Sequence, residues 1–280
     1  MTATTLTRDL LRRYLDRSSR PLRIMRGQQE YRRRRAAARE LSSSDGYPID
    51  ELKRTGFMAL HPSRALVDEV VATSRQRLEE AAALPQRGNK PFFSQLLGAA
   101  DLKVDSPFMR FALDERLLAS VARYLGCLPF LQSIDLLYSK PLGNSPMASQ
   151  LWHRDRRDLA IIKVFLYATD VEMEHGPLTM LPLDQSRRVP EYLTHYLGDE
   201  QLARYTDLQT AVPLTGPAGT TYMVDTENCY HLGSRCQKPR LAYVVYFDSG
   251  FGFRDRERTW SPQDGGATLS EFQRYALGLA

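Results

Sequence analysis

Two textures divide the chain. Over 5–17, Leu6, Leu10, Leu11, Tyr14 and Leu15 recur at helical spacing with Arg on the other side, predicting a short amphipathic helix that Pro21 ends. A second, basic helical stretch is expected over 28–40, then a linker at 42–45 followed by Gly46 and Pro48. A strand is expected over 56–60. A helix capped by Ser63 should run over 64–83 with Leu66, Val67, Val70, Val71 and Leu78 buried, and another over 114–125. From about Leu128 the period shortens. Apolar or alternating runs at 131–139, 160–168, 177–181, 210–214, 220–224 and 241–247 are separated by Gly, Pro, Asn and Asp. Such spacing predicts an antiparallel sandwich or barrel, interrupted by one helix over 189–202.

Charge sharpens this division. The 280 residues hold 38 Lys and Arg against 33 Asp and Glu, a formal +5. Residues 1–40 contain twelve Arg, no Lys and four acids, a net +8, which leaves 26 basic and 29 acidic groups elsewhere, a net −3. A mildly acidic body excludes a surface built throughout to neutralise phosphates, so no specific nucleic-acid binding is expected. The domain plan is a basic helical N-terminal extension over 1–45 and a single domain over 46–280. Four readings of the extension stand: a solvated helix whose Leu face packs on the body, a targeting peptide (Asp9 and Asp16 count against it), a membrane-surface helix, and a docking element for an acidic partner. Cys127, Cys229 and Cys236 are an odd number in a chain long enough to need no staples, which fits a reducing compartment and a cytoplasmic location. The longest apolar run, 161–168, is broken by Lys163 and too short for a bilayer, and 1–35 lacks the apolar centre of a secretory signal, so neither a transmembrane segment nor a signal peptide is expected.

The candidate chemistry lies in the strand-rich part. Trp152-His153-Arg154-Asp155 places an imidazole and a carboxylate at i and i+2, on one side of an extended segment. His231 follows 78 residues later, just after an apolar run. Two His and one carboxylate on adjacent corners of an octahedron form a facial triad, which leaves positions open on Fe(II) for a cosubstrate and O2. Alone, His-x-Asp is more often a hydrogen-bonded pair than a metal site; the order and spacing of the other residues add the weight. Arg240 opens the apolar run 241–247, and an inward guanidinium there can grip the end of a dicarboxylate with two parallel hydrogen bonds. His175 reads as a turn residue, Trp152 as packing, and Cys229 and Cys236 as small core or loop residues, because their spacing lacks the paired form of a zinc site.

With these residues stand Gly176-Pro177-Leu178-Thr179-Met180-Leu181-Pro182, the run 216–225, Thr55-Gly56-Phe57 and Tyr138-Ser139-Lys140-Pro141. Together they resemble the phytanoyl-CoA dioxygenase family of Fe(II)- and 2-oxoglutarate-dependent oxygenases over about 52–249. The resemblance implies a mainly β fold with flanking helices around a double-stranded β-helix (jelly-roll, cupin-like) core. It implies His153, Asp155 and His231 as iron ligands, Arg240 on the distal carboxylate of 2-oxoglutarate, and Ser234 or Tyr138 supporting that cosubstrate. The chain departs from the family pattern in two places. Leu183-Asp184-Gln185-Ser186 follows Pro182 where the family shows Gly-Ser-His, and Leu232-Gly233-Ser234-Arg235 follows His231, which makes Arg235 a rival for the carboxylate. Relatives that halogenate have Gly or Ala in place of the carboxylate ligand, so Asp155 implies hydroxylation or another oxidation of a small-molecule substrate, with release of succinate and CO2.

Substrate choice in the family lies in loops at the barrel mouth, here 86–105, 143–150, 184–208 and 251–266. A reading from another class is a β-barrel binding module with a vestigial metal site, whose basic arm recruits an acidic partner.

Overall fold

The structure, a computed structural model, describes residues 28–41, 46–81, 92–141, 143, 146–156, 158, 160–193, 196–250 and 269–280. The helix expected over 5–17, the linker at 42–45, the whole 251–266 loop, part of the 86–105 loop, Arg157 and His195 lie outside the described residues. Helix α1 spans Gln28–Leu41 and α2 Asp50–Thr55, followed by strand β1, Phe57–Leu60. Gly56 makes that junction. It adopts φ 87° and its N–H closes α2 onto Leu52 O, while a Cβ there would meet Cys229 Sγ at 2.1 Å. Helix α3 covers Arg64–Ala81, close to expectation. After the short β2, Phe93–Gln95, come α4, Pro107–Ala112, and α5, Glu115–Leu125. Both are capped as their sequences dictate: Ser106 Oγ accepts from Met109 N, and the Asp114 carboxylate accepts from Leu117 N.

The expected strands form β3 (Phe130–Ser139), β4 (Ile161–Tyr167), β5 (Leu178–Met180), β6 (Val212–Leu214), β7 (Thr221–Asp225), β8 (His231–Leu232) and β9 (Arg240–Asp248). They pair antiparallel throughout. One sheet runs in the order β1-β7-β4-β9-β3-β2 and the other β6-β5-β8. A bridge between His153 and His231 adds a fourth member beside β8. The strands alternate between sheets, with β4 and β7 in the large one separated by β5 and β6 in the small one. This wraps a double-stranded β-helix, mainly β with helices on one side.

The period of two sorts side chains into two layers. Ile162, Val164 and Leu166 of β4 join Tyr243, Val245 and Phe247 of β9 in the main core, under α2 to α5 and the last helix α8, Glu271–Ala276. Phe165, Leu178, Met180, Leu214 and Val224, drawn from both sheets, pack between them. The helix expected over 189–202 is absent. After α6, Leu183–Ser186, the one helix among the described residues of that stretch is α7, Asp199–Leu202. Pro190 and Gly198 interrupt the helical period, and Leu197 instead exchanges hydrogen bonds with Trp152 at 2.9 and 3.0 Å. Helix α1, placed by sequence in the extension, is docked on the body: Ala38 joins the main core and Arg34 is 1% exposed.

Candidate metal centre

The two imidazoles come from opposite residues of one antiparallel bridge. His153 N–H donates to His231 O at 3.0 Å and His231 N–H to His153 O at 2.9 Å. In such a pair both side chains stand on the same face of the sheet. Asp155 lies two residues beyond His153, on that face, with its N–H donating to Thr226 O at 2.9 Å. Backbone pairing alone therefore assembles the triad. The ligand atoms of His153, Asp155 and His231 all lie within 4.8 Å of one another, and the ring centroids are 4.2 Å apart.

Both imidazoles are set in one tautomer by the same local contact. His153 Nδ1 faces Leu151 O at 2.9 Å and His231 Nδ1 faces Cys229 O at 3.1 Å, each the carbonyl two residues back. A carbonyl only accepts, so each Nδ1 carries the hydrogen and each Nε2 turns a lone pair toward Asp155, 4.0 Å away in both cases. Burial, then the neighbouring His231, lowers the pKa of His153 to about 3, and burial lowers that of His231. Both rings are neutral at pH 7, as a metal ligand must be. For Asp155, burial alone would raise the pKa, but neighbouring charge, first that of the Lys163 ammonium, outweighs it and keeps the carboxyl ionised. Two neutral imidazoles and one carboxylate make a donor set suited to a divalent transition metal.

In sequence Lys163 reads only as a break in an apolar run. Its Nζ lies 2.7 Å from Asp155 Oδ2, an ion pair off the angle of a hydrogen bond, and 5.5 Å from the centre of the Tyr246 ring. The signal was there: a lone charge in the middle of a central strand must point into the barrel and find a partner.

Arg240 sits in a second cluster beside the triad. Its Nη1 donates to Gly176 O at 2.6 Å and its Nη2 to Ser234 Oγ at 2.9 Å, and Ser139 Oγ lies 3.0 Å from Ser234 Oγ. Arg240 is 6% exposed, and its buried Nε has no hydrogen-bond partner. Gly176 explains why the Gly-Pro-Leu motif begins with glycine. It adopts φ 59°, and a Cβ there would strike the Arg235 backbone at 2.7 Å, which cannot move aside. Arg235 is committed elsewhere. It donates to Gln150 O and forks both terminal nitrogens onto Asp199 at 2.8 Å.

Tyr138 differs from expectation. It packs with the main core on the opposite face of β3, because successive strand residues alternate, and Ser139 takes the inward position opposite Arg240. Trp152 is buried with its Nε1 on Asp199, and His175 lies in a turn whose Glu174 pairs with Lys238. Arg156 donates to the carbonyls of Glu191 and Leu193. Among the described residues, the three non-glycine residues with positive φ are Ala148, Arg156 and Ser234. Two of them are at the site, Arg156 directly after Asp155 and Ser234 on Arg240, where backbone strain is held by surrounding contacts.

No family model matches the chain, and no curated protein matches it in sequence. Solved structures do match. EctD from S. alaskensis in its apoform is 21% identical, over 73% of this chain and 79% of that one, with TM-score 0.52. EctD has also been solved with bound Fe and with 2-oxoglutarate and 5-hydroxyectoine. The chain shares its fold with that protein. Two further matches, described as non-haem α-ketoglutarate-dependent enzymes, come from nogalamycin biosynthesis: the carbocyclase SnoK, 18% identical over 75% of this chain and 85% of that one, and the epimerase SnoN, 17% identical over 84% and 96%, each with TM-score 0.51. At such identities the likeness is one of fold.

Proposed function

We propose that the chain is an Fe(II)- and 2-oxoglutarate-dependent oxygenase that hydroxylates a C–H bond of a small molecule, within or near the phytanoyl-CoA dioxygenase family. The observation that carries this reading is the pairing of two features in one barrel. Two Nε2 lone pairs converge on an ionised carboxylate, and a buried guanidinium close by has an idle N–H. His153, Asp155 and His231 would hold the iron. Arg240 would bind the distal carboxylate of 2-oxoglutarate through charge and its free N–H, with Ser234 and Ser139 completing the polar end. When bound, iron supplies the O2 chemistry in which one oxygen atom enters the substrate as hydroxyl and the other enters succinate, with loss of CO2 from 2-oxoglutarate.

The neutral imidazoles keep their lone pairs for the metal, the Nδ1 contacts fix their aim, and the ionised Asp155 supplies the negative charge. The three cysteines are free, and no helix among the described residues is long and apolar enough to cross a membrane. Free cysteines suit a reducing setting for such an enzyme.

The reading is tested by anaerobic titration with Fe(II) and 2-oxoglutarate and by succinate release in air. The wild type should bind both and release succinate even without a known substrate, and His153→Ala should abolish metal binding. A wild-type chain that binds neither rejects the proposal.

A further inference from the structure

Lys163 is the one charged side chain that β4 sends into the barrel, and it lies against a candidate metal ligand. Groups that orient metal ligands are ordinarily neutral or anionic: the carbonyls of Leu151 and Cys229 do this for the two imidazoles. A cation in that place is different, because it competes with a metal for the same carboxylate. Asp155 has two oxygens. Oδ1 is 4.0 Å from His153 Nε2 and Oδ2 is 4.0 Å from His231 Nε2, but only Oδ2 has the Lys163 ammonium beside it, at 2.7 Å.

We infer that Lys163 is a positioning residue that keeps Asp155 a one-oxygen ligand, holding Oδ2 away from the metal and leaving Oδ1 to bind it. The inference rests on the oxygenase reading above. A carboxylate can chelate a cation through both oxygens and so take two coordination positions. With two imidazoles already bound, a two-oxygen Asp155 would leave only two of six positions. A chelating cosubstrate and O2 together need three. Because Oδ2 is held by Lys163, and because two cations repel across one oxygen, the carboxylate presents one oxygen and the third position stays open. Lys163 therefore does not strengthen the metal site; it keeps it open for the cosubstrate.

This separates Lys163 from an ordinary orienting group, whose loss costs about 10–100-fold in metal affinity. The experiment measures two affinities anaerobically on the full chain. One is Fe(II) against a competing chelator; the other is 2-oxoglutarate added to the Fe(II)-loaded protein, followed by the visible charge-transfer band of the chelate. Lys163→Met should weaken 2-oxoglutarate by about tenfold or more while Fe(II) affinity stays level or rises, and Lys163→Arg should restore the cosubstrate. Metal and cosubstrate affinities that fall together, or that both stay unchanged, overturn the inference. If Lys163→Met does not fold, Lys163→Gln is read by the same criteria. If neither uncharged variant folds, Lys163 is a core-stabilising residue and the inference is wrong. A wild type that binds neither Fe(II) nor 2-oxoglutarate rejects the oxygenase reading, whereas a wild type that binds both with an unaffected Lys163→Met rejects only this inference.

Discussion

Two buried guanidiniums divide the molecule into what is built and what is waiting. Arg34, on α1, gives Nη1 to the carbonyls of Leu128 and Pro129 at 3.1 and 3.2 Å and Nη2 to Tyr275 O at 2.9 Å, and its plane lies 3.3 Å from the centre of the Phe130 ring. Arg240 is nearly as buried but has one carbonyl, one hydroxyl and an Nε with no partner. Burying a charge is costly unless its donors are used. Arg34 meets that condition within the fold, so it is a pin that ties α1 to the turn after α5 and to the end of α8. Arg240 does not, so the missing acceptor is expected from a ligand. Burial by itself does not mark a functional residue here; Arg240 is set apart by an idle donor in a polar cluster with Ser234 and Ser139.

The strongest way to break this contrast is to remove each guanidinium in turn. Arg34→Met should cost about 3 kcal/mol or more of stability in chemical denaturation, because three carbonyls lose a charged donor, with 2-oxoglutarate affinity unchanged. Arg240→Met should do the reverse. It should weaken 2-oxoglutarate by about a hundredfold and move the unfolding free energy by only about 1 kcal/mol. Equal effects of the two variants on either readout would remove the distinction.

A smaller effect concerns another idle atom near the site. Glu227 Oε2 is buried without a partner, and burial, then the Asp225 charge, raises the Glu227 pKa to about 8. The folded chain therefore binds more protons than the unfolded one between the ordinary carboxylate range and pH 8, so stability falls as pH rises through that window. The lowered His153 acts in the opposite direction below its unfolded value near 6.5, where falling pH destabilises the fold. Between about pH 6.5 and 8 Glu227 acts without that opposition, and Glu227→Gln should flatten the metal-free stability profile and raise stability at pH 8 by on the order of 1–2 kcal/mol. Thermal melts across that window check it; a wild-type profile that is already flat there counts against an idle, neutral carboxyl. Smallest of all, Tyr138→Phe should change stability by less than about 1 kcal/mol and leave 2-oxoglutarate affinity alone, since the hydroxyl is on the wrong face of β3.

Much of this was legible in the residue order. The short strands beyond Leu128 and the spacing of His153, Asp155 and His231 could be read because a period of two is local, and an i, i+2 pair in extended backbone shares a face. Three features were hidden for tertiary reasons. Arg34 lies within a run of four arginines, and only docking decides that it turns inward with Ala37 and Ala38 while Arg33 and Arg35 stay exposed. The 189–202 segment has apolar spacing close to helical, but Leu197 pairs with Trp152, which no local pattern announces. Tyr138 and Ser139 are neighbours, so assigning the inward position needs the register with Arg240, which is set by the pairing of β3 with β9.

The bridge between His153 and His231 joins positions 78 residues apart in the chain. A metal held by both rings would be a removable cross-link around that loop, comparable in chain-entropy terms to a disulfide of similar span, about 4 kcal/mol. It would clasp the short segment at residues 152–153, whose bridges to His231 and Leu197 are isolated rather than part of a longer ladder. The same three side chains would then act as a fastener for the edge of the small sheet, and removing the metal would loosen the barrel there first.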